Sequence, residues 1–324
     1  MKRIAVFTSG GDAPGMNACI RAVVRTALHH GIEVIGIRRG YQGMIDGDFI
    51  PMTRASVSGI IHLGGTILRS ARCEDFRSAE GRQQAYDQLR KADIDKIVVI
   101  GGDGSFRGAL NFMKEYPDIH MVGCPGTIDN DLFGTDHTIG YDTAINTAMN
   151  AIDNIKDTAN AHDRLFFIEV MGRDAGYIAL PVGIATGAEA VLIPETKIGV
   201  DQLVATLEQN YQLKKTSTIV VVAEGDEEGG AFKIAEEVKK RSFNRYEIKV
   251  TILGHIQRGG RPTCVERVRA SRMGMAAVQA LLDGRNAVMI GEVNSEITYT
   301  PFEKATKHHM DINPMLLEMV EILS

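Results

Sequence analysis

Short apolar, β-branched runs recur along the chain, separated by longer amphipathic stretches. RIAVFT (residues 3–8), EVIGI (33–37), KIVVIGG (96–102) and HMVGCP (120–125) open the series. RLFFIEVMG (164–172), AVLIP (190–194), STIVVVAEG (217–225), IKVTILG (248–254) and AVMIGEV (287–293) continue it. The runs are continuous rather than alternating, as expected of strands covered on both faces. Their alternation with helical stretches predicts an α/β protein built on parallel sheets. Most runs end near a glycine and lead into a predicted helix, so polar loops gather at the carboxyl ends of the strands, where open parallel sheets bind ligands. A long helical stretch from Tyr141 to about Asn160 is expected to carry the chain into a second unit.

The length of 324 residues provides for roughly two domains, each with its own core. With 44% hydrophobic and 24% charged residues the composition is that of a globular chain. A formal net charge of −5 speaks against general nucleic-acid binding, so any anion site must be local. No apolar run approaches the ~18 residues of a membrane helix, and MKRIAVFTSGGD turns polar too soon for a signal peptide, so a cytoplasmic protein is expected. The cysteines Cys19, Cys73, Cys124 and Cys264 form no C-x-x-C pair and read as small buried hydrophobes. No H-E-x-x-H spacing points to zinc.

The first run leads into TSGGDAPGMN (8–17), with a helix predicted from near Asn17. Two glycines before a helix N-terminus make a phosphate seat, although the same pattern also serves as a structural turn. It is neither the P-loop nor the dinucleotide fingerprint. KIVVIGGDGSFRGA (96–109) repeats the arrangement with Asp103 among the glycines. Asp103 either caps the following helix or holds magnesium against a polyphosphate. PGTIDNDL (125–132) sets Asp129 and Asp131 at the end of another run. They are either turn acids in solvent, or Asp129 is a base for an attacking hydroxyl, with Asp131 tuning it or binding metal through water.

Basic residues recur at the same ends. FFIEVMGRDAGY (166–177) supplies Arg173, AEGDEE (223–228) supplies Glu224, and ILGHIQRGGRP (252–262) supplies His255 and Arg258. SARCEDFR (70–77) adds Arg72 and Arg77. In an acidic protein this distribution suggests a phosphorylated substrate held by arginine forks. His255 also suits a structural role, and Arg72 and Arg77 a solvated surface. Arg21 and Arg25, four apart on the first helix, share a face and with Arg54 form a second basic set, or simply a polar surface.

In this order TSGGDAPGMN, GGDGS, PGTIDND, EVMGR and LGHIQRGG resemble the bacterial ATP-dependent 6-phosphofructokinase family over most of the chain. The resemblance implies transfer of the ATP γ-phosphoryl group to the 1-hydroxyl of fructose 6-phosphate. It implies two doubly wound, mostly parallel sheets with the active site in the cleft between them. Gly11, Arg72, Cys73, Gly102, Asp103, Gly104 and Ser105 would line the ATP site, with Asp103 on magnesium. Asp129 matches the proton acceptor, and Thr127, Asp131 and Arg173 complete the catalytic set. Thr127, Ile128, Asp129, Met171, Gly172, Arg173, Glu224, His255, Ile256, Gln257 and Arg258 match the sugar-phosphate site. Arg164 and Lys249 would reach that site from a neighbouring subunit of a homotetramer. Arg21, Arg25, Arg54, Lys156, Gly187, Glu189 and Lys215 match an effector pocket for ADP or phosphoenolpyruvate, with Glu189 its metal-binding acid.

The chain departs from the family pattern at three of these places. Lys249 stands for an arginine, exchanging a bidentate fork for a point charge. Ala55 stands for an aromatic and Lys156 for another arginine. Pyrophosphate-dependent relatives, the nearest alternative, carry Asp at Gly104 and Lys at Gly126; glycines there are expected to leave room for an adenosine. NAD and lipid kinases share the Gly-Gly-Asp-Gly loop but not PGTIDND or LGHIQRGG. A non-catalytic sensor would be expected to lack Asp103 or Asp129. The resemblance places residues 1–140 with 253–303 in a nucleotide-binding domain and residues 141–252 with 304–324 in a sugar-phosphate domain.

Overall fold

The computed structural model describes residues 2–159, 164–196, 198–212, 218–225, 229–241, 247–307 and 312–323. In chain order the elements begin β1 (Arg3–Thr8), α1 (Met16–His29), β2 (Glu33–Ile37), α2 (Gly40–Asp46) and β3 (Phe49–Met52). Next come α3 (Ala79–Lys91), β4 (Lys96–Gly101), α4 (Asp103–Glu115), β5 (His120–Thr127), β6 (Ile139–Gly140) and α5 (Tyr141–Ala159). Then follow β7 (Arg164–Val170), α6 (Ala179–Thr186), β8 (Ala190–Leu192), α7 (Val200–Gln212), β9 (Thr218–Ala223), α8 (Gly230–Lys240) and β10 (Glu247–Ile252). The chain closes with α9 (Cys264–Leu282), β11 (Val288–Val293), β12 (Glu296–Pro301) and α10 (Pro314–Leu323).

It divides into two compact units, Met1–Thr143 with Arg258–His308 and Ala144–Gln257 with His309–Ser324. In the first unit the sheet order is β12-β11-β5-β4-β1-β2-β3, with β6 paired to β5. β1, β2, β4, β5, β6 and β11 are parallel, and the two edges, β3 and β12, are antiparallel. The second unit holds a fully parallel sheet in the order β10-β7-β9-β8. Both sheets agree with the expected α/β class.

Most of the continuous apolar runs have the predicted cause; the exception is β10, a sheet edge of which no residue is buried. All six residues of β9 are buried, as are the last five of β4. In the first unit Phe7, Tyr41, Met44, Phe106, Phe112 and Phe302 fill the core, with the Phe106 and Phe302 rings stacked at 4.9 Å. In the second, Leu165, Phe167, Leu203, Leu207, Val220 and Val238 do so. α1 is helical because its apolar positions, Met16, Cys19, Ile20, Val23, Val24 and Ala27, fall on one face, which is buried as α1 packs on α9.

Several expectations need correction. The edge strands β3 and β12 are not apparent in the apolar pattern, because an edge is only half covered; Pro51 and Pro301, which donate no ladder hydrogen bond, sit on them. Cys19 and Cys124 are buried, but Cys73 is half-buried and Cys264 is exposed in the first turn of α9, so they are not uniformly core residues.

In the first sheet the order reverses between β1 and β4: β2 and β3 lie on one side, β4, β5 and β11 on the other. A parallel sheet opens a crevice at the carboxyl ends of the strands flanking such a reversal.

Candidate active site

The loops after β1 and β4 meet at that reversal. Ser9 N–H donates to Ile100 O at 2.9 Å, and a Cβ on Gly101 would stand 2.7 Å from Ser9 O. The β4 loop turns into α4 with Gly102 as its N-cap and Asp103 as its first residue, so Asp103 is not the capping side chain. Its Oδ2 pairs with Arg107 Nη2 at 2.8 Å, one helical turn on, while its Oδ1 is buried with no hydrogen-bond partner. A buried carboxylate oxygen left open beside free helix N–H groups suits a hard cation that also takes phosphate oxygens. Ser105 is buried, and its carbonyl accepts a 2.6 Å hydrogen bond from the Tyr41 hydroxyl. Of the other residues expected here, Cys73 packs half-buried against the first core and Arg72 is exposed.

One strand over, β5 ends at Thr127 and delivers the acidic loop. Ile128 and Asp129 are wholly buried, Asn130 and Asp131 nearly so. Asp129 N–H lies 3.3 Å from Thr127 Oγ1. Asn130 takes a left-handed backbone, φ 54°, between the two acids. Arg258 belongs to this unit too: its guanidinium donates to Asp12 O at 3.3 Å and lies across Gly11, where a Cβ would stand 2.6 Å from Nη1. Glycine at position 11 therefore gives Arg258 its place over the β1 loop.

The second unit brings together its own set. β7 lies between β10 and β9, and the residues following all three converge. Met171 N–H donates to Gln257 Oε1 at 3.3 Å and Arg173 N–H to Glu224 Oε1 at 2.7 Å. Gly172 at φ 142° and Arg173 at φ 55° turn the chain sharply there. Gln257 is buried, whereas His255 and Ile256 are exposed in the short 3-10 segment Gly254–Arg258. His255 is therefore not a core residue.

Arg164 and Lys249 lie on adjacent strands, joined by one acid. Glu247 accepts from Arg164 Nε at 2.8 Å and pairs with Lys249 Nζ at 2.6 Å. The hydrogen bonds from Lys249 and then Arg164 hold its carboxyl down at about 2.

The residues expected in the effector pocket divide between the units. Arg21 and Arg25 sit half-buried on α1, where desolvation and the neighbouring Arg25 charge lower the Arg21 pKa; Arg54 is exposed. In the second unit Lys156 Nζ donates to Thr186 O at 2.8 Å, beside Gly187, the left-handed C-cap of α6. Glu189 accepts from Asn210 at 2.8 Å. Lys215 lies outside the described residues.

A phosphofructokinase family model matches residues 3–281. The chain belongs to the phosphofructokinase family. It is 54% identical over 324 residues to ATP-dependent 6-phosphofructokinase 1 of Thermus thermophilus, covering 100% of both chains. It is 52% identical to ATP-dependent 6-phosphofructokinase 2 of Bacteroides thetaiotaomicron, over 100% of this chain and 99% of that one. Among solved structures, Pichia pastoris phosphofructokinase in the T-state has a TM-score of 0.88 at 35% identity. That alignment covers 94% of this chain but 35% of the yeast chain, so this protein spans about a third of it. The pyrophosphate-dependent phosphofructokinase of Marinobacter aquaeolei, 24% identical over 97% of this chain and 86% of its own, shares the fold at a TM-score of 0.85.

Within this phosphofructokinase the two glycines expected to make room for adenosine differ. A Cβ at Gly104 meets nothing within 4 Å. At Gly126 it would stand 2.8 Å from Met16 Cε, 3.1 Å from Ile100 Cγ2 and 3.3 Å from Gly101 N, so a side chain there would displace the flexible end of Met16 and press on its neighbours. Several site residues escaped the sequence reading. Arg107 had a signal, its i, i+4 spacing from Asp103. Tyr41 had none, and Asn17 closes the TSGGDAPGMN motif without its role being legible there: buried at the start of α1, it donates to Leu63 O and Gly64 O and accepts from Ile67 N, tethering a distant loop.

Proposed function

We infer that the protein is an ATP-dependent 6-phosphofructokinase, transferring the ATP γ-phosphoryl group to the 1-hydroxyl of fructose 6-phosphate to give fructose 1,6-bisphosphate and ADP, a step of glycolysis. The observation that carries this reading is the placing of two acids at adjacent strand ends: Asp103, half-buried with one buried oxygen open beside a glycine-rich turn, and the wholly buried Asp129 one strand away. The names of full-length relatives at 54% and 52% identity support the ATP donor.

The first unit would bind the nucleotide through Gly11, Arg72, Cys73 and the turn from Gly102 to Ser105. Asp103 would hold magnesium, which neutralises charge on the phosphates when bound. Asp129 takes the proton of the attacking hydroxyl, the one base that phosphoryl transfer needs. Thr127 and Asp131 flank it, and Arg173 balances charge on the transferred group. The second unit would bind the sugar phosphate. Met171, Gly172, Glu224, His255, Ile256 and Gln257 contact the sugar, and Arg258 its anionic part. Arg164 and Lys249 serve a neighbouring subunit's substrate in a homotetramer. Arg21, Arg25, Arg54, Lys156, Gly187, Glu189 and Lys215 receive an anionic effector, ADP or phosphoenolpyruvate. The enzyme works in the cytoplasm; among the described residues no helix is long and apolar enough to cross a membrane.

The test is phosphorylation of fructose 6-phosphate by the purified protein with ATP or pyrophosphate, each with and without magnesium. Turnover is expected only with ATP and magnesium. Turnover with pyrophosphate would overturn the donor assignment, and none with either would overturn the kinase reading.

A further inference from the structure

Asn130 stands between the two acids of the β5 loop and is itself neither base nor ligand in the mechanism above. Its backbone is left-handed, φ 54°, a conformation that asparagine tolerates better than other side chains bearing a Cβ. Its carboxamide is committed on both sides: Nδ2 donates to Asp136 O at 3.0 Å, and Oδ1 accepts from Thr138 N–H at 2.7 Å. One carbonyl and one N–H as partners allow a single orientation of the amide. Thr138 closes the loop from the other side, its Oγ1 donating to Thr127 O at 2.6 Å. The returning segment is anchored independently of Asn130. Asp136 N–H donates to Glu292 O at 2.8 Å, Asp136 Oδ2 accepts from Asn294 N–H at 2.7 Å, and β6 pairs with β5 through Gly126↔Ile139 and Thr127↔Gly140.

Asp129 and Asp131 therefore leave the backbone on either side of a residue whose torsion and side chain are both fixed to a rigid frame. We propose that Asn130 is a positioning residue, whose carboxamide clamp on Asp136 and Thr138 sets the direction in which Asp129 and Asp131 face the reacting groups. The proposal deepens the phosphofructokinase reading and rests on it. The two hydrogen bonds, rather than backbone tolerance alone, fix the loop. Glycine would permit φ 54° but leave the Asp136 carbonyl and Thr138 N–H without the clamp. Aspartate would keep the acceptor for Thr138 N–H and lose the donor to Asp136 O.

The experiment compares Asn130→Ala, Asn130→Gly and Asn130→Asp with the wild-type full-length protein. It measures kcat, KM for each substrate, magnesium-ATP binding by calorimetry and the thermal midpoint. A misplacement of about 1 Å at a reacting group costs on the order of 10²-fold, so Ala and Gly should each lower kcat by about that factor. Magnesium-ATP affinity and KM for ATP should stay within about threefold of wild type, because the clamp acts on the base and not on the nucleotide. Asp should recover part of the lost kcat. An Asn130→Gly enzyme with wild-type kcat overturns the clamp, and so does a loss of kcat matched by equal losses in ATP affinity and thermal midpoint. A wild-type protein that fails to phosphorylate fructose 6-phosphate overturns the kinase reading and this proposal with it; an active wild type with unimpaired variants overturns the proposal alone.

Discussion

Arg258 occupies the space that a side chain on residue 11 would need: a Cβ there would stand 2.6 Å from its Nη1 and 3.2 Å from its Cζ. The displaced atoms would be the far end of a flexible side chain, so Gly11→Ala should fold with a stability change within about 0.5 kcal/mol. It should nonetheless lower kcat/KM for fructose 6-phosphate by about tenfold by moving Arg258. A double-mutant cycle with Arg258→Ala checks the cause. If glycine serves to seat Arg258, the two losses overlap, whereas full additivity would separate them.

Asp129 is wholly buried at the end of β5. Replaced by asparagine, which keeps the shape but cannot take a proton, it should give a folded enzyme that has lost about 10²-fold or more in kcat. Steady-state turnover together with a thermal melt checks this, and near-normal turnover would remove Asp129 from the role of base.

The ion triad of Arg164, Glu247 and Lys249 tests how phosphate is held. Glu247, held at about 2 against an ordinary 4.5, has a depressed folded pKa. Its pairing is accordingly complete above 4.5 and is lost only as pH falls toward 2. At neutral pH Lys249→Ala should raise KM for fructose 6-phosphate more than it lowers kcat. An unchanged KM would place Lys249 outside the substrate site.

Glu266, on the first turn of α9, should give folding a pH dependence of the opposite sign. Burial pushes its carboxyl up to about 7, against hydrogen bonds from the Gly140 and Thr143 backbone; Asp142 adds to the rise and Arg269 opposes it. Its Oε1 is buried with no hydrogen-bond partner. The unfolded chain releases this proton near 4.5 and the folded one near 7, so the folded state binds more protons in between. Stability should therefore fall as pH rises from 4.5 to 7, by roughly 3 kcal/mol at about 1.4 kcal/mol per unit. Denaturant unfolding of Glu266→Gln across that window should show the fall much reduced. An undiminished fall would assign it to other groups.

Much of this molecule was legible in residue order. The buried strands β1, β2, β4, β5, β7 and β9 announce themselves as unbroken apolar runs, because a strand covered on both faces has no polar position to spare. The placing of Asp103 and Asp129 at strand ends was legible too, because each adjoins a glycine-bearing turn in the chain itself. The half-covered edges β3 and β12 were not, and neither was the exposure of Cys264.

By itself the sequence determined the α/β class, the glycine- and acid-bearing loops at the strand ends and the family to which the chain belongs, all of which depend on residues close together in the chain. Only the tertiary structure decided the partnerships across long separations, Gly11 with Arg258, Tyr41 with the Ser105 carbonyl and Arg164 with Glu247, and the closing of the β5 loop by Asn130 on Thr138. A hydrogen bond or a steric fit is a matter of a few tenths of an ångström between atoms that strand order and register bring together. Residue spacing carries no such information.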